Sequence, residues 1–196
     1  QSCSGFIEIS MKNFLDNYID EFSNLIINSK KITDDLMSVK DTLITASENG
    51  KKSIVVGNGG SAAIASHFSV DLTKNAGVRC VDFNETDLIT CFANDYGYEH
   101  WIGKAVEFYG DEGDVFIAIS SSGSSKNILN GCCTARDKNF SKVITLSGMQ
   151  AENPLRRLGD INLWVDSRAY NHIENLHQFW LLTIVDLIIG KAEYAV

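Results

Sequence analysis

The chain has 196 residues, of which 44% are hydrophobic and 21% charged, and its formal net charge is −8. That is enough for one domain with a full core; the acidic balance argues against a general nucleic-acid binder, which presents a basic face, and no run of about 18 apolar residues predicts a membrane span. The five cysteines, Cys3, Cys80, Cys91, Cys132 and Cys133, are odd in number and lack C-x-x-C spacing, which predicts reduced thiols in the cytoplasm rather than a disulfide frame or a thiolate zinc site.

Residues 1–10 precede Met11 and are set apart from the fold, leaving 11–196 as a single domain. Phe14, Leu15, Tyr18, Ile19, Phe22, Leu25 and Ile26 recur at helical spacing, and Leu36, Val39, Leu43 and Ile44 repeat the pattern up to Gly50, so two helices come first. The period then changes. Short apolar runs at 53–57, 78–83, 114–120, 142–148 and 161–165 read as strands, with helical stretches between most of them. Such alternation predicts an α/β fold, a parallel sheet covered by helices on both faces in three layers. The last helix, about 172–189, carries Ile173, Leu176, Trp180, Ile184 and Leu187. It is too apolar for a lone surface helix, and with the first helix it predicts burial in an oligomer.

Two loops carry the chemistry. After the first strand come Gly57, Asn58, Gly59, Gly60 and Ser61, the last a natural N-cap. Glycine lets a ligand approach the backbone, and the free N–H groups of a helix start point at it. After the third strand come Ser120, Ser121, Ser122, Gly123, Ser124 and Ser125, with a helix beginning near Lys126. Hydroxyls and helix-start amides make a donor nest for phosphate oxygens. Gly57, Gly59 and Ala62 also satisfy G-x-G-x-x-A, with Asp82 ending the next strand, as a dinucleotide site would require. A nicotinamide site would explain neither the serine nest nor the two leading helices, so no nucleotide cofactor is expected.

The stretches at 57–62, 93–97, 112–115, 118–125, 142–148 and 173–180, in that order, resemble the phosphoheptose isomerase group of sugar isomerase (SIS) domains. The resemblance runs from about Met11 to the last helix. It implies a five-stranded parallel sheet of flavodoxin-like type behind two N-terminal helices, and a homotetramer with active sites between subunits. It also implies conversion of a small-molecule sugar phosphate, sedoheptulose 7-phosphate, to D-glycero-D-manno-heptose 7-phosphate for lipopolysaccharide or related surface polysaccharide. Carried over by position, Asn58, Gly59 and Gly60 match the sugar-contacting turn, and Asn94 and Asp95 a second polar contact. Ser120, Ser121, Ser122 and Ser125 match the phosphate nest. His67 matches a histidine that binds metal in members carrying zinc.

Aldose–ketose isomerisation needs a base near C1 and C2 and a group to polarise the carbonyl. Four residues after the histidine the family has a glutamate; here Asp71 stands there, one methylene shorter, and a base displaced by about 1 Å can lose roughly two orders of magnitude in rate. The family's glutamine on the last helix is Glu174 here, and its catalytic histidine eight residues later is Leu182, which can move no proton. His177, one turn after Glu174, is the candidate substitute. The resemblance thus implies Asp71 and His177 as catalytic residues, Glu174 at the substrate, and zinc held by His67, Asp71 and Glu174. By itself the stripe Ile64, His67, Phe68, Asp71 and Leu72 also reads as a core helix with a hydrogen-bonded histidine. A second reading is a non-catalytic SIS protein that binds a phosphosugar or regulates a partner, because a replication-initiation regulator related to this family also lacks the histidine at the Leu182 position.

Overall fold

The computed structural model describes residues 3–193, with side chains from Ser10 onward; the Cys3 thiol, Gln1 and Ser2 lie outside the described groups. The chain divides into two compact units, residues 1–33 and 34–196. The first contains helix α1 (Cys3–Asn28) and a 3-10 turn (Ser29–Ile32), so helix extends through most of the segment set apart at 1–10. Along α1, Phe14, Leu15, Ile19 and Ile27 are more than half exposed.

The second unit runs α2 (Thr33–Glu48), β1 (Ser53–Val56), α3 (Gly60–Lys74), β2 (Cys80–Val81), α4 (Thr86–Tyr96), α5 (Trp101–Tyr109), β3 (Val115–Ser120), α6 (Lys126–Asp137), β4 (Lys142–Ser147), a 3-10 turn (Leu155–Arg157), β5 (Ile161–Trp164) and α7 (Tyr170–Ile189). All pairings are parallel, in the order β2-β1-β3-β4-β5. The expected five-stranded flavodoxin-like sheet is therefore present. The three inner strands are buried along nearly their whole length, which is why they read as continuous apolar runs. β2 pairs on one side only and shrinks from the expected 78–83 to two residues. Beyond it the Asp82 carboxylate accepts from the backbone N–H of Asn84 at 2.9 Å and from Ser69 Oγ at 2.8 Å, which turns the chain off the sheet.

Successive residues of a strand point to opposite faces. Ile54, Val56, Phe116, Ala118 and Val143 meet Trp101, Ile102 and Val106 of α5 and Ile128 and Cys132 of α6 in one core. On the other face α3 packs against β1 and α7 against β4, and the two helices pack on each other. α3 buries Ile64, Phe68 and Leu72 at four-residue spacing, and α7 buries Ile173, Leu176, Trp180 and Ile184. No helix among the described residues is long and apolar enough to cross a membrane.

Candidate active site

β1 and β3 are neighbours, yet the helices that follow them, α3 and α6, lie on opposite faces of the sheet. The loops leaving these strands therefore diverge and open a crevice, the position where sheets of this type hold ligands. Asn58, from the first loop, and Ser125, Lys126 and Asn127, from the second, line one cleft of about 570 Å³, closed by Gly97, Tyr98 and Glu99 after α4. The two loops singled out by sequence thus converge.

The first loop enters α3 earlier than Ser61. Gly59 is the N-cap, with φ of 55°, and Ser61 is buried in the first turn, its N–H donating to the Asn58 carbonyl at 3.0 Å. The expected serine cap is therefore a glycine, because the backbone there takes a left-handed φ that serine avoids. Gly60 is bare for a specific reason: a β-carbon on it would fall inside the carboxylate of Glu174. That carboxylate thus lies against the start of α3, where helix-start N–H groups and the dipole favour an anion.

In the second loop, Gly123 N–H donates to the Ser120 carbonyl at 2.9 Å and closes the turn at a φ of 65°. A side chain at Gly123 would collide with Asn153. Asn153 is buried and braces the loop: its Nδ2 donates to Ser147 Oγ at 3.0 Å and to the Gln150 carbonyl at 2.8 Å, while its Oδ1 accepts from the Arg156 N–H at 3.1 Å. The hydroxyls divide their work. Ser120 Oγ donates to Ser125 Oγ at 3.2 Å, and Ser124 Oγ donates to Ser122 Oγ at 2.9 Å, which leaves the protons of Ser122 and Ser125 free to donate outward. Ser121 Oγ is buried with no partner at all, a state native proteins seldom tolerate unless a ligand or water completes it. The first N–H groups of α6 add unpaired donors.

None of the other expected site residues is among those lining this cleft. Asn94 and Asp95 are exposed at the end of α4, with Asn94 Nδ2 donating to Asp95 Oδ1 at 2.9 Å. His67 and Asp71 share a face of α3, Nε2 to Oδ2 3.3 Å, with side chains 48% and 24% exposed, so His67 is no core histidine. Gln178 of α7 donates from Nε2 to His67 Nδ1 at 3.3 Å. Along α3, Gly60 and Asp71 are about 16 Å apart at 1.5 Å per residue, and α3 runs back toward the amino ends of the strands. Glu174, at the start of α3, therefore does not join His67 and Asp71. Among the described residues no three His, Cys, Asp or Glu side chains form a group that could hold a metal ion.

His177 is wholly buried. Its Nε2 donates to the Ser147 carbonyl at 3.1 Å, its Nδ1 has no partner, and its ring packs against Trp180. Burial pushes its pKa down to about 4, against a smaller upward pull from the Ser147 carbonyl. The structure thus corrects the expectation of an exposed catalytic His177: the neutral ring lies inside the core and ties α7 to β4. Asp82, the acid of the dinucleotide spacing, has its carboxylate taken up by Ser69 and Asn84. Four site neighbours escaped the sequence reading: Tyr98, Asn127, Asn153 and Gln178. Only Asn127, in the first turn behind the serine loop, carried a local signal. Cys80, Cys91, Cys132 and Cys133 are free thiols. Burial raises the Cys132 pKa to about 12 and that of Cys80 further, so neither is a nucleophile.

The SIS domain family model matches residues 17–148. A phosphoheptose isomerase of Hamiltonella defensa is 36% identical over 176 residues, covering 87% of this chain and 84% of that protein. One from Helicobacter hepaticus is 36% identical over 177 residues, covering 86% and 89%. The structure of a phosphoheptose isomerase from Neisseria gonorrhoeae superposes with a TM-score of 0.84 at 26% identity, covering 92% of this chain and 99% of that one. With its parallel sheet, its glycine turn and its serine nest, the chain belongs to the SIS-domain family, in the phosphoheptose isomerase group.

Proposed function

We propose that the protein is a phosphoheptose isomerase, interconverting sedoheptulose 7-phosphate and D-glycero-D-manno-heptose 7-phosphate in the cytoplasm for surface polysaccharide synthesis. One observation carries this: the Asn58 turn and the serine loop, distant in sequence, open onto one cleft that combines phosphate donors at Ser125 and Lys126 with the Asn58 amide and the Tyr98 hydroxyl.

In this reaction Asp71 takes a proton from C1 of the ketose, an enediol forms, and the proton returns to C2 while a hydroxyl proton moves between O1 and O2. His67 holds the Asp71 carboxylate through Nε2 at 3.3 Å and is itself held through Nδ1 by Gln178 at 3.3 Å. Glu174 accepts from sugar hydroxyls at the Gly60 turn. Asn94 and Asp95 supply the second polar contact. Zinc would act as a Lewis acid at the carbonyl, but among the described residues His67 and Asp71 gain no third His, Cys, Asp or Glu ligand, so no step is routed through a metal.

We further infer a homotetramer with active sites between subunits. A seven-carbon chain with its phosphate spans about 10 Å, on the scale of 3.8 Å per three backbone bonds, less than the roughly 16 Å from Gly60 to Asp71 along α3. An Asp71 from another subunit resolves that mismatch. The exposed apolar residues of α1 supply a surface to bury. The test is to incubate the protein with sedoheptulose 7-phosphate, with and without zinc, and follow the aldose by NMR. Aldose formation is expected; its absence in both arms removes the isomerase assignment.

A further inference from the structure

The Asn58 side chain is fully engaged as an acceptor. Its Oδ1 accepts from Asn127 Nδ2 at 2.8 Å and from the Tyr98 hydroxyl at 3.2 Å, which fills both lone pairs. Its Nδ2 donates to Asn127 Oδ1 at 3.0 Å, leaving one N–H. The two amides thus form a closed reciprocal pair, joining the turn after β1 to the first turn of α6 across the crevice. Asn127 is 3% exposed, so its orientation is held by the surrounding core.

Tyr98 lines the same cleft and is 59% exposed. Its single hydroxyl proton is committed to Asn58, so what it turns toward the cleft is lone pairs: it can accept a hydrogen bond but not donate one. A phosphate dianion has no proton to give, whereas a sugar hydroxyl does. The same cleft also carries donors: the Ser125 hydroxyl, the first N–H groups of α6 and the Lys126 ammonium, which lies 3.4 Å from Glu99 on an exposed face. The cleft therefore offers an acceptor for a hydroxyl at Tyr98 and donors for a phosphate at Ser125 and Lys126.

We propose that Tyr98 contacts the sugar, accepting a hydrogen bond from a ligand hydroxyl, and that Asn127 is a positioning residue which aims Tyr98 through Asn58. Together they seat a phosphorylated polyol with its phosphate at Ser125 and Lys126. This rests on the sugar-phosphate assignment of the cleft. A site that hydrogen-bonds a substrate hydroxyl discriminates strongly against ligands lacking it.

The test is calorimetric titration of the full chain with sedoheptulose 7-phosphate and, separately, inorganic phosphate, for wild type, Tyr98→Phe, Asn127→Ala and the double variant. Each single variant is expected to weaken sugar phosphate about tenfold and inorganic phosphate by less than about twofold, in line with one lost hydrogen bond. Because Asn127 acts through Tyr98, the double variant is expected to match the weaker single rather than the product of the two. In turnover, KM rises while kcat holds, the mark of a uniform binding contact. Asn127→Asp keeps the side chain's shape but removes the N–H donor, and repeats the test should Asn127→Ala fail to fold. Wild-type affinity for sugar phosphate in Tyr98→Phe, or an equal loss for both ligands, overturns the Tyr98 contact. Multiplying losses in the double variant overturn the positioning role. A wild-type protein that binds phosphate but no sugar phosphate overturns the assignment of the cleft itself, and the inference with it.

Discussion

At the amino ends of β1 and β3, the Asp114 side chain is 1% exposed and its carboxylate accepts from Lys52 Nζ at 2.6 Å, the Lys52 backbone N–H at 3.0 Å and the Asp111 N–H at 2.9 Å. Lys52 also reaches Asp111 at 2.6 Å. Burial opposes the Lys52 charge, but its hydrogen bonds to Asp111 and Asp114 outweigh that and raise its pKa, while the same hydrogen bond from Lys52 lowers that of Asp111. At the carboxyl ends of the same two strands Ser121 Oγ is buried and unpartnered, and the Ser125 and Ser122 hydroxyls accept from Ser120 and Ser124. The charged groups at the amino end pair with one another and fasten the sheet, although Ser53 Oγ there is buried without a partner. At the carboxyl end the serine hydroxyls keep protons that a ligand can take up.

The largest departure from that division is expected at Asp71, a carboxylate on α3 that belongs to neither network. Asp71→Asn is expected to lower turnover about a thousandfold, the scale of general-base catalysis, with sugar-phosphate affinity within about twofold of wild type. Retained turnover by NMR removes Asp71 as the base. Next comes the amino end: Asp114→Asn removes one of the two carboxylates that Lys52 pairs with, Asp111 remaining, and is expected to cost about 2 kcal/mol in denaturant melts, with kcat per folded molecule unchanged. A variant that is stable but inactive would reverse the roles of the two ends.

His177, bonded to Ser147 at the carboxyl end of β4, gives a pH signature. Its folded pKa, about 4, lies below the ordinary 6.5. Between these values the unfolded chain holds a proton that the folded chain does not, so stability rises with pH across that window and is lost as pH falls from about 6.5 toward 4. At roughly 1.36 kcal/mol per unit this reaches about 3 kcal/mol. Urea melts at pH 7 and pH 5 should differ in this direction, and His177→Gln should flatten the difference; an unchanged slope would mean the imidazole is not held neutral. The smallest effect is the most diagnostic. Ser121→Ala is expected to weaken sugar phosphate about tenfold while leaving stability within about 0.5 kcal/mol, because the hydroxyl it removes has no partner within the chain. A destabilised Ser121→Ala would show that this hydroxyl serves the fold.

The order of strands and helices was legible in the sequence because strands buried on both faces leave unbroken apolar runs, and helices between them leave a 3.6-residue stripe. The glycine turn at Asn58 and the serine nest were legible too, since unusual backbone conformations and clustered hydroxyls are local properties of a chain. Tertiary structure alone decided that Asn58 pairs with Asn127 and Tyr98, that Glu174 occupies the space over Gly60, that Gln178 rather than Glu174 meets His67, and that His177 is sealed in the core. These are meetings of residues far apart in the chain. Periodicity states which face of an element is buried; only the packing of α3 against α7, and the parting of two loops at the β1–β3 boundary, states what lies opposite.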